Sequence, residues 1–546
     1  MPIALLGAVL AAAFAAPAGA MTRDALGAYI GARAADASGD PATAARLLAT
    51  LVRTMPAEPL LRRRAIGHAI EAGEMDIALQ LAGRVPAEQA ALDLRLLLVA
   101  DELRRGDEKS AIKLLRTTGG VIDSSFLAPF IEAWMWAGKR DARALDVLTQ
   151  IPASNPLAGQ RDEQRAQILL KLKRPAEALP LAELALSQAG GRADRLRLAL
   201  ADGFRAAGDK VSALKMLEGE GLTLADARAR LSAGKSLGQA VDSAPKAFSE
   251  LLLGLTFALN KLRDKSLPIS LAQIALYANP DNPAGTLLLA LSLDAGDRND
   301  DALALLRTVR PSQPFAAQAQ DAEVRILTGM GRGDEALARA RAFATANPNA
   351  DAYARLGAAL IEREAFGEAA EAYGRALALT TAGPASDDAW ALRLFRASAL
   401  ESVNRWAEAK QDMATAMALS PDNPLLLNFL GYGQLERGEN LDEAEAMVRK
   451  ASALRPDDAS ITDSLGWAQY KRGRTDEAIT TLQRAAEGDP SQAEIHEHLG
   501  DALFTAGRRI EARFAWRAAL LTAEDKAKKR LDAKLAVGLT PANASP

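Results

Sequence analysis

The chain has 546 residues and a formal net charge of −3, from 66 Lys and Arg side chains against 69 Asp and Glu. This balance gives no electrostatic footprint for nucleic acid. The absence of cysteine excludes disulfides, thiolate metal sites and a cysteine nucleophile. Aromatic residues are only 5% while Ala, Leu, Arg and Glu are abundant, so the composition predicts an all-α protein.

An apolar run from Ile3 to Ala16 begins the sequence and is followed by Pro17 and small residues. Its length fits the apolar region of a signal peptide and is too short for a membrane span of about 20 residues. No Lys or Arg precedes the run, which is atypical of a signal peptide. Residues 1–20 are predicted to be a signal peptide of this atypical kind, which would make the protein periplasmic. If Met21 is the true start, the protein is cytoplasmic. No cysteine is available for lipid attachment, so membrane anchoring is not supported.

Alanines spaced by 33 to 35 residues mark the next part of the chain, predicted as a degenerate repeat array over residues 21–244. A Gly with a polar or charged neighbour, as in Gly106-Asp107, precedes most of them and is typical of a turn between helices. The alanines are Ala44, Ala78, Ala111, Ala144, Ala178 and Ala213.

The spacing then becomes irregular. An additional helix is predicted near Leu224 to Leu231, followed by a helix pair from Pro245 to Ala278. This pair begins a middle array over residues 245–379, which continues through Ala302, Ala336 and Ala369.

The clearest repeats lie in the region 380–522. Each has a Leu-Gly step in a first helix and an alanine in a second helix, and Pro490 follows one of the second helices. Gly and Ala allow two helices to cross closely, and Pro ends a helix. The residues predicted to define the repeats, in this region and at the end of the middle array, are Gly357, Ala369, Gly431, Ala444, Gly466, Ala478, Pro490, Gly500 and Ala512. Residues 523–546 are predicted to form a charged capping helix and a disordered tail.

These residues resemble the tetratricopeptide repeat (TPR) family, whose unit is a 34-residue helix–turn–helix. The resemblance implies a superhelical solenoid of about fourteen helix pairs, with about two turns and an extended concave surface. It also implies a non-catalytic scaffold that binds proteins or peptides along the first helices.

The first helices of the C-terminal repeats would place a set of polar and aromatic residues in the groove. Tyr432, Trp467 and Tyr470 would form an aromatic patch suited to a peptide or partner helix. The alternative, that several of these residues pack between repeats, stays open. The predicted groove residues are Asn428, Tyr432, Glu436, Asp463, Trp467, Tyr470, Lys471, Glu497 and Asp501.

No catalytic or cofactor motif is identified. His496 and His498 are two residues apart, which is the wrong spacing for a metal pair on one helix face, and both are expected on the surface. The run Gly329–Gly333 imitates a phosphate-binding loop, but no strand precedes it, so a turn is predicted. No enzyme activity, cofactor or metal is expected.

A narrower resemblance covers about 95 residues from Asn428 to Leu520. The phrases N-F-L-G-Y, I-T-D-S-L-G-W and E-I-H-E-H-L-G-D are similar to long TPR proteins of proteobacterial envelopes. The resemblance implies an adaptor that presents cell-wall hydrolases to a carboxy-terminal-processing protease. A general assembly scaffold for secretion, polysaccharide or other complexes is the alternative.

Overall fold

A computed structural model of the chain describes residues 23–83, 85–118, 123–219, 222–310, 313–380 and 389–545. The predicted signal segment and Met21 lie outside these residues. The described residues form thirty α-helices, four short 3₁₀ turns and no strand. The predicted all-α, TPR-like solenoid is therefore confirmed. The helices fall into two compact units, the first ending at Gly331 and the second beginning at Arg332.

The N-terminal unit contains eighteen helices. Sixteen of them pack as eight consecutive pairs, and α13 and α18 stand outside these pairs. The helices are α1 (Arg23–Ala37), α2 (Pro41–Thr54), α3 (Pro59–Glu71), α4 (Met75–Ala82), α5 (Leu92–Arg104), α6 (Glu108–Arg116), α7 (Ala128–Gly138), α8 (Arg143–Thr149), α9 (Arg161–Lys171), α10 (Pro175–Ser187), α11 (Ala193–Ala207), α12 (Lys210–Met216), α13 (Leu222–Ser232), α14 (Ala244–Leu259), α15 (Ser266–Ala278), α16 (Pro283–Asp294), α17 (Asn299–Leu306) and α18 (Ala316–Gly329).

The C-terminal unit contains twelve helices. One helix comes first, five pairs follow, and a last helix closes the unit. The helices are α19 (Gly333–Ala346), α20 (Ala350–Ile361), α21 (Phe366–Thr380), α22 (Ala389–Ser402), α23 (Trp406–Leu419), α24 (Pro424–Arg437), α25 (Leu441–Leu454), α26 (Ala459–Lys471), α27 (Thr475–Gly488), α28 (Ala493–Thr505), α29 (Arg509–Thr522) and α30 (Asp525–Val537). The irregular helix predicted near Leu224 to Leu231 is α13, and the predicted charged capping helix is α30.

A Gly-Asp step encodes the turn inside several pairs. Gly106 has a φ of 79°, a left-handed conformation that Gly adopts without steric cost. Asp107 then begins α6 by accepting a hydrogen bond of 3.0 Å from the backbone N–H of Ser110. The same step begins α2 at Gly39-Asp40 and α12 at Gly208-Asp209.

Small residues hold the two helices of a pair close together. A Cβ atom placed at Gly357, Gly431, Gly466 or Gly500 would lie only 2.4 to 2.8 Å from atoms of the facing helix. The alanines that recur at the repeat spacing are at most 1% exposed. They are Ala44, Ala78, Ala111, Ala144, Ala178, Ala213, Ala302, Ala336, Ala369, Ala409, Ala444, Ala478 and Ala512.

The N-terminal unit departs from a simple stack of neighbouring pairs. Helices α14 and α15 pack against α3, α5 and α7, which are the first helices of earlier pairs. We call the surface formed by these first helices the inner face of the unit. The expectation of an extended concave surface is wrong here, because α14 and α15 cover the inner face. The physical reason is that both helices are apolar on nearly all sides and must be buried on more than one side.

None of the described helices combines the length and the apolar character needed to cross a membrane.

Candidate partner-binding face of the C-terminal unit

The first helices α24, α26 and α28 form the inner face of the last three pairs, and polar contacts tie them together. The Tyr432 hydroxyl donates a hydrogen bond of 2.9 Å to the Glu494 carboxylate, which joins α24 to α28. The indole N–H of Trp467 donates to Glu436 at 2.8 Å. Burial and the nearby carboxylates of Glu494 and Glu436 raise the pKa of Tyr432 well above its usual range, so its hydroxyl stays a donor.

A buried histidine lies at the centre of this face. Nδ1 of His498 is 2.9 Å from a carboxylate oxygen of Asp463, and the imidazole stacks on Trp467 with ring centroids 4.0 Å apart. Burial alone would lower the pKa of His498, but the carboxylates of Asp463, Glu494 and Asp501 together outweigh burial and raise it. The prediction that His498 lies on the surface is wrong. Two residues along an α-helix are separated by a rotation of about 200°. His498 therefore points into the packed side of α28, while His496 is more accessible.

Trp467 is an interior residue of this face. It is 1% exposed and stacks against both His498 and Tyr470, with 4.9 Å between the Trp467 and Tyr470 ring centroids. The ammonium group of Lys471 lies 5.0 Å from the centroid of the Trp467 ring. Of the two roles left open for the aromatic residues, the structure places Trp467 in packing between repeats, while Tyr470 stays partly accessible.

The chain itself occupies the inner positions of its last pair. Arg530 donates two hydrogen bonds to Glu497, at 2.6 and 2.7 Å. The side chain of Lys534 is fully buried. Its Nζ lies 2.6 Å from Oε1 of Glu497 and 2.8 Å from Oδ2 of Asp501. Burial would raise the pKa of Glu497, but these two cations lower it. The predicted groove residues Glu497 and Asp501 are therefore engaged by helix α30.

The tail after α30 also has fixed contacts, so the predicted disorder is wrong for residues 538–545. The backbone N–H and the hydroxyl of Ser545 donate to Asp501 at 3.0 and 2.8 Å. The side-chain amide of Asn543 donates to the Gly538 carbonyl at 2.9 Å. Asp501 also accepts from the indole N–H of Trp516 at 2.9 Å. A buried carboxylate requires several donors, and the tail supplies two of them.

A set of accessible polar side chains remains on the inner face beside these buried groups. The amide oxygen of Asn428 is itself buried and accepts no hydrogen bond from the described residues. We call this set the inner strip, and it comprises Asn428, Tyr432, Glu436, Tyr470, Lys471 and Glu494. Neither Glu494 nor His498 was predicted as a functional residue. The two residues lie on the same face of α28, one turn apart.

The chemistry of the inner strip suits recognition of a polypeptide. Its amide, phenol, carboxylate and ammonium groups can donate to and accept from a peptide backbone and side chains. Among the residues that the structure describes, no group of three or more His, Asp or Glu side chains could hold a metal ion.

Comparison with known families identifies the repeats. Residues 466–507 match the model described as TPR repeat, and residues 322–387 match the model described as tetratricopeptide repeat. These two segments carry TPR repeats, within a chain that is a TPR-like solenoid. No curated protein matches the chain.

Several solved structures are similar to the chain. The Cut9–Hcn1 hetero-tetramer of APC/C is 16% identical, covering 95% of this chain and 97% of that chain, with a TM-score of 0.39. Pseudomonas aeruginosa pilF is 22% identical, with 34% and 82% coverage and a TM-score of 0.29. YrrB, a TPR protein with an unusual peptide-binding site, is 20% identical, with 35% and 97% coverage and a TM-score of 0.26. At these identities and TM-scores the likenesses carry no inference about function.

Proposed function

We propose that this chain, whose TPR repeats indicate a protein–protein interaction scaffold, is an exported envelope adaptor that presents protein substrates to a processing protease. The inner strip of the C-terminal unit is the proposed binding surface. The observation that carries this assignment is that the strip is accessible, whereas α14 and α15 cover the inner face of the N-terminal unit.

The geometry of the strip supports a polypeptide as the bound group. Its residues lie on three successive first helices, which are cross-linked by the Tyr432–Glu494 and Trp467–Glu436 hydrogen bonds. Such cross-links hold the accessible groups in place before a partner arrives, which reduces the entropy lost on binding.

The export and adaptor parts of the proposal have separate support. Export is supported by the apolar run at residues 3–16. The adaptor role is supported by the resemblance of the phrases between Asn428 and Leu520 to envelope TPR proteins.

The test is a pull-down from envelope extract with the full chain and a strip variant that combines Asn428→Ala with Lys471→Ala. These side chains are chosen because changing the buried Trp467 would disturb the fold. Lys109→Ala, at an exposed position of α6, is the control. Capture of a carboxy-terminal-processing protease and a cell-wall hydrolase, lost only with the strip variant, would support the proposal.

Two results would overturn parts of it. An uncleaved N-terminus in the cytoplasmic fraction would remove the export claim. Capture of secretion or polysaccharide components in place of the protease would favour the alternative, a general assembly scaffold.

A further inference from the structure

The outer side of helix α29, opposite its buried Ala512, Trp516 and Ala519, carries large apolar side chains. Ile510 is 74% exposed, Phe514 is 64% exposed and Leu521 is 85% exposed. Residues separated by four, seven and eleven positions share one face of an α-helix, so these three side chains form one stripe. Helix α29 is therefore apolar on both sides, whereas an ordinary surface helix is polar on the side that faces solvent.

The equivalent positions of the preceding pairs show that the repeat does not require this stripe. In α27 they are Asp476, Thr480 and Glu487. In α25 they are Asp442, Ala446 and Ala453, none of which is a large apolar residue. The stripe of large apolar side chains is therefore specific to the last pair, and a local function explains it better than repeat packing does.

Positive charge accompanies the stripe. Arg513 and Arg517 are exposed beside it, and neither pairs with an acidic side chain among the residues that the structure describes. Helix α30 adds Lys526 and Lys529, both exposed. Residues 509–537 carry eight basic and four acidic side chains. Arg530 and Lys534 are engaged by Glu497 and Asp501, and the six remaining basic side chains still exceed the four acidic ones. The occupant of this face should therefore be both apolar and anionic.

We propose that the outer face of α29 binds the surface of an anionic lipid bilayer. Ile510, Phe514 and Leu521 would enter the boundary between headgroups and acyl chains, and Arg513 and Arg517 would contact lipid phosphates. Side chains that project this far from the helix need no complementary pocket in a fluid bilayer. Long Arg side chains can keep their charge at the headgroups while their stems lie on apolar surface.

A second copy of the chain fits this face less well. A symmetric dimer through α29 would place Arg513 and Arg517 near the same residues of the partner, so like charges would oppose each other. This inference does not depend on the inner strip, which lies on a different side of the repeats.

The experiment is co-sedimentation of the full chain with vesicles of phosphatidylglycerol and phosphatidylcholine, compared with vesicles of phosphatidylcholine alone. We expect binding to the anionic vesicles that weakens with salt, because screening reduces attraction between charges. The variant Ile510→Ser/Phe514→Ser/Leu521→Ser should lower the partition coefficient by about tenfold or more. Arg513→Glu/Arg517→Glu should lower it similarly without touching buried residues.

The matched control is Leu419→Ser/Leu454→Ser, which removes side chains of 53% and 48% exposure from other second helices of the same unit. This variant should bind vesicles like the unmodified chain. Absence of binding to anionic vesicles, equal binding to both vesicle types, or equal losses in test and control variants would overturn the proposal. A dimer in sedimentation velocity that the α29 variants dissolve would assign the face to a protein contact and also overturn it. An α29 variant that loses vesicle binding but still captures the protease would show that the outer face of α29 acts separately from the inner strip.

Discussion

The two units of this chain fill their inner faces differently. In the N-terminal unit two apolar helices, α14 and α15, cover the first helices α3, α5 and α7. In the described part of the C-terminal unit only the last pair is filled, by the basic helix α30 and the tail. A TPR-like array therefore offers a binding face only where no other part of the same chain already covers it.

The contacts that fill the two faces also differ in kind. In the N-terminal unit Phe248 and its neighbours on α14 join one apolar core with the early pairs. One polar tie is the Tyr277 hydroxyl, which donates to Asp101 at 2.8 Å. In the C-terminal unit Lys534 is held between two carboxylates. The first arrangement depends on apolar burial, and the second depends on keeping opposite charges together.

The largest expected effect is at the apolar contact. Phe248→Ala removes a fully buried aromatic side chain and should lower the free energy of opening of α14 by about 4 kcal/mol. Native-state hydrogen exchange of the α14 and α5 amides measures this. If the α14 amides exchanged equally fast in the unmodified chain and in the variant, α14 and α15 would not be a fixed part of the inner face.

A slightly smaller effect is expected at the ionic contact. Lys534→Met keeps the apolar stem but leaves Glu497 and Asp501 with less positive charge, and it should destabilise α28 and α30 by about 3 kcal/mol. Lys528→Ala, at an exposed position of the same helix, is the control and should cost under about 0.5 kcal/mol. Hydrogen exchange of the α28 amides distinguishes them, and equal effects of the two substitutions would contradict a buried ionic contact.

A third prediction concerns close packing within the last pair. Gly500→Ala would place a Cβ atom 2.4 Å from the Trp516 ring and should destabilise this pair by about 1–3 kcal/mol. Gly367→Ala, where the new atom meets nothing within 4 Å, should be neutral or stabilising. Urea unfolding followed by tryptophan fluorescence compares the two variants. A neutral Gly500→Ala would show that the helices can move apart freely.

The smallest effect is a dependence on pH. Because the folded pKa of His498 is raised, its contribution to stability is fully present below the unfolded pKa of about 6.5 and is lost as pH rises through the raised folded value. The His498→Gln variant should lack this dependence. The test compares the unfolding midpoints of the unmodified chain and the variant from pH 5 to about 9. All other titrating groups affect both chains equally, so the difference reports His498. Identical pH profiles would contradict the Asp463–His498 contact.

The sequence predicted the helix pairs well because small residues at fixed spacing mark each helix crossing, as Gly466 and Ala478 do within one pair. It predicted α14 and α15 as a helix pair, but not which surface they would cover. That choice depends on contacts between residues far apart in sequence, such as Tyr277 and Asp101.

The candidate site was predicted less completely. The nine groove residues lie on the expected helices, but position on a helix does not reveal what covers a side chain. Trp467 is buried by neighbouring rings, and Glu497 and Asp501 are engaged by Lys534, whose helix α30 looks like a solvated charged segment in the sequence. The relative register of α28 and α30, which brings these groups together, is not visible in a pattern of residue types.

Hydrogen exchange of the full chain, with and without the processing protease that the pull-down should identify, tests the central claim most directly. We predict that protection increases in α24 and α26 around Asn428 and Lys471 and stays unchanged in α3, α5 and α7. Protection gained in α3, α5 and α7, together with faster exchange in α14 and α15, would contradict the account. That result would mean that the partner displaces the chain's own helices and binds the N-terminal inner face.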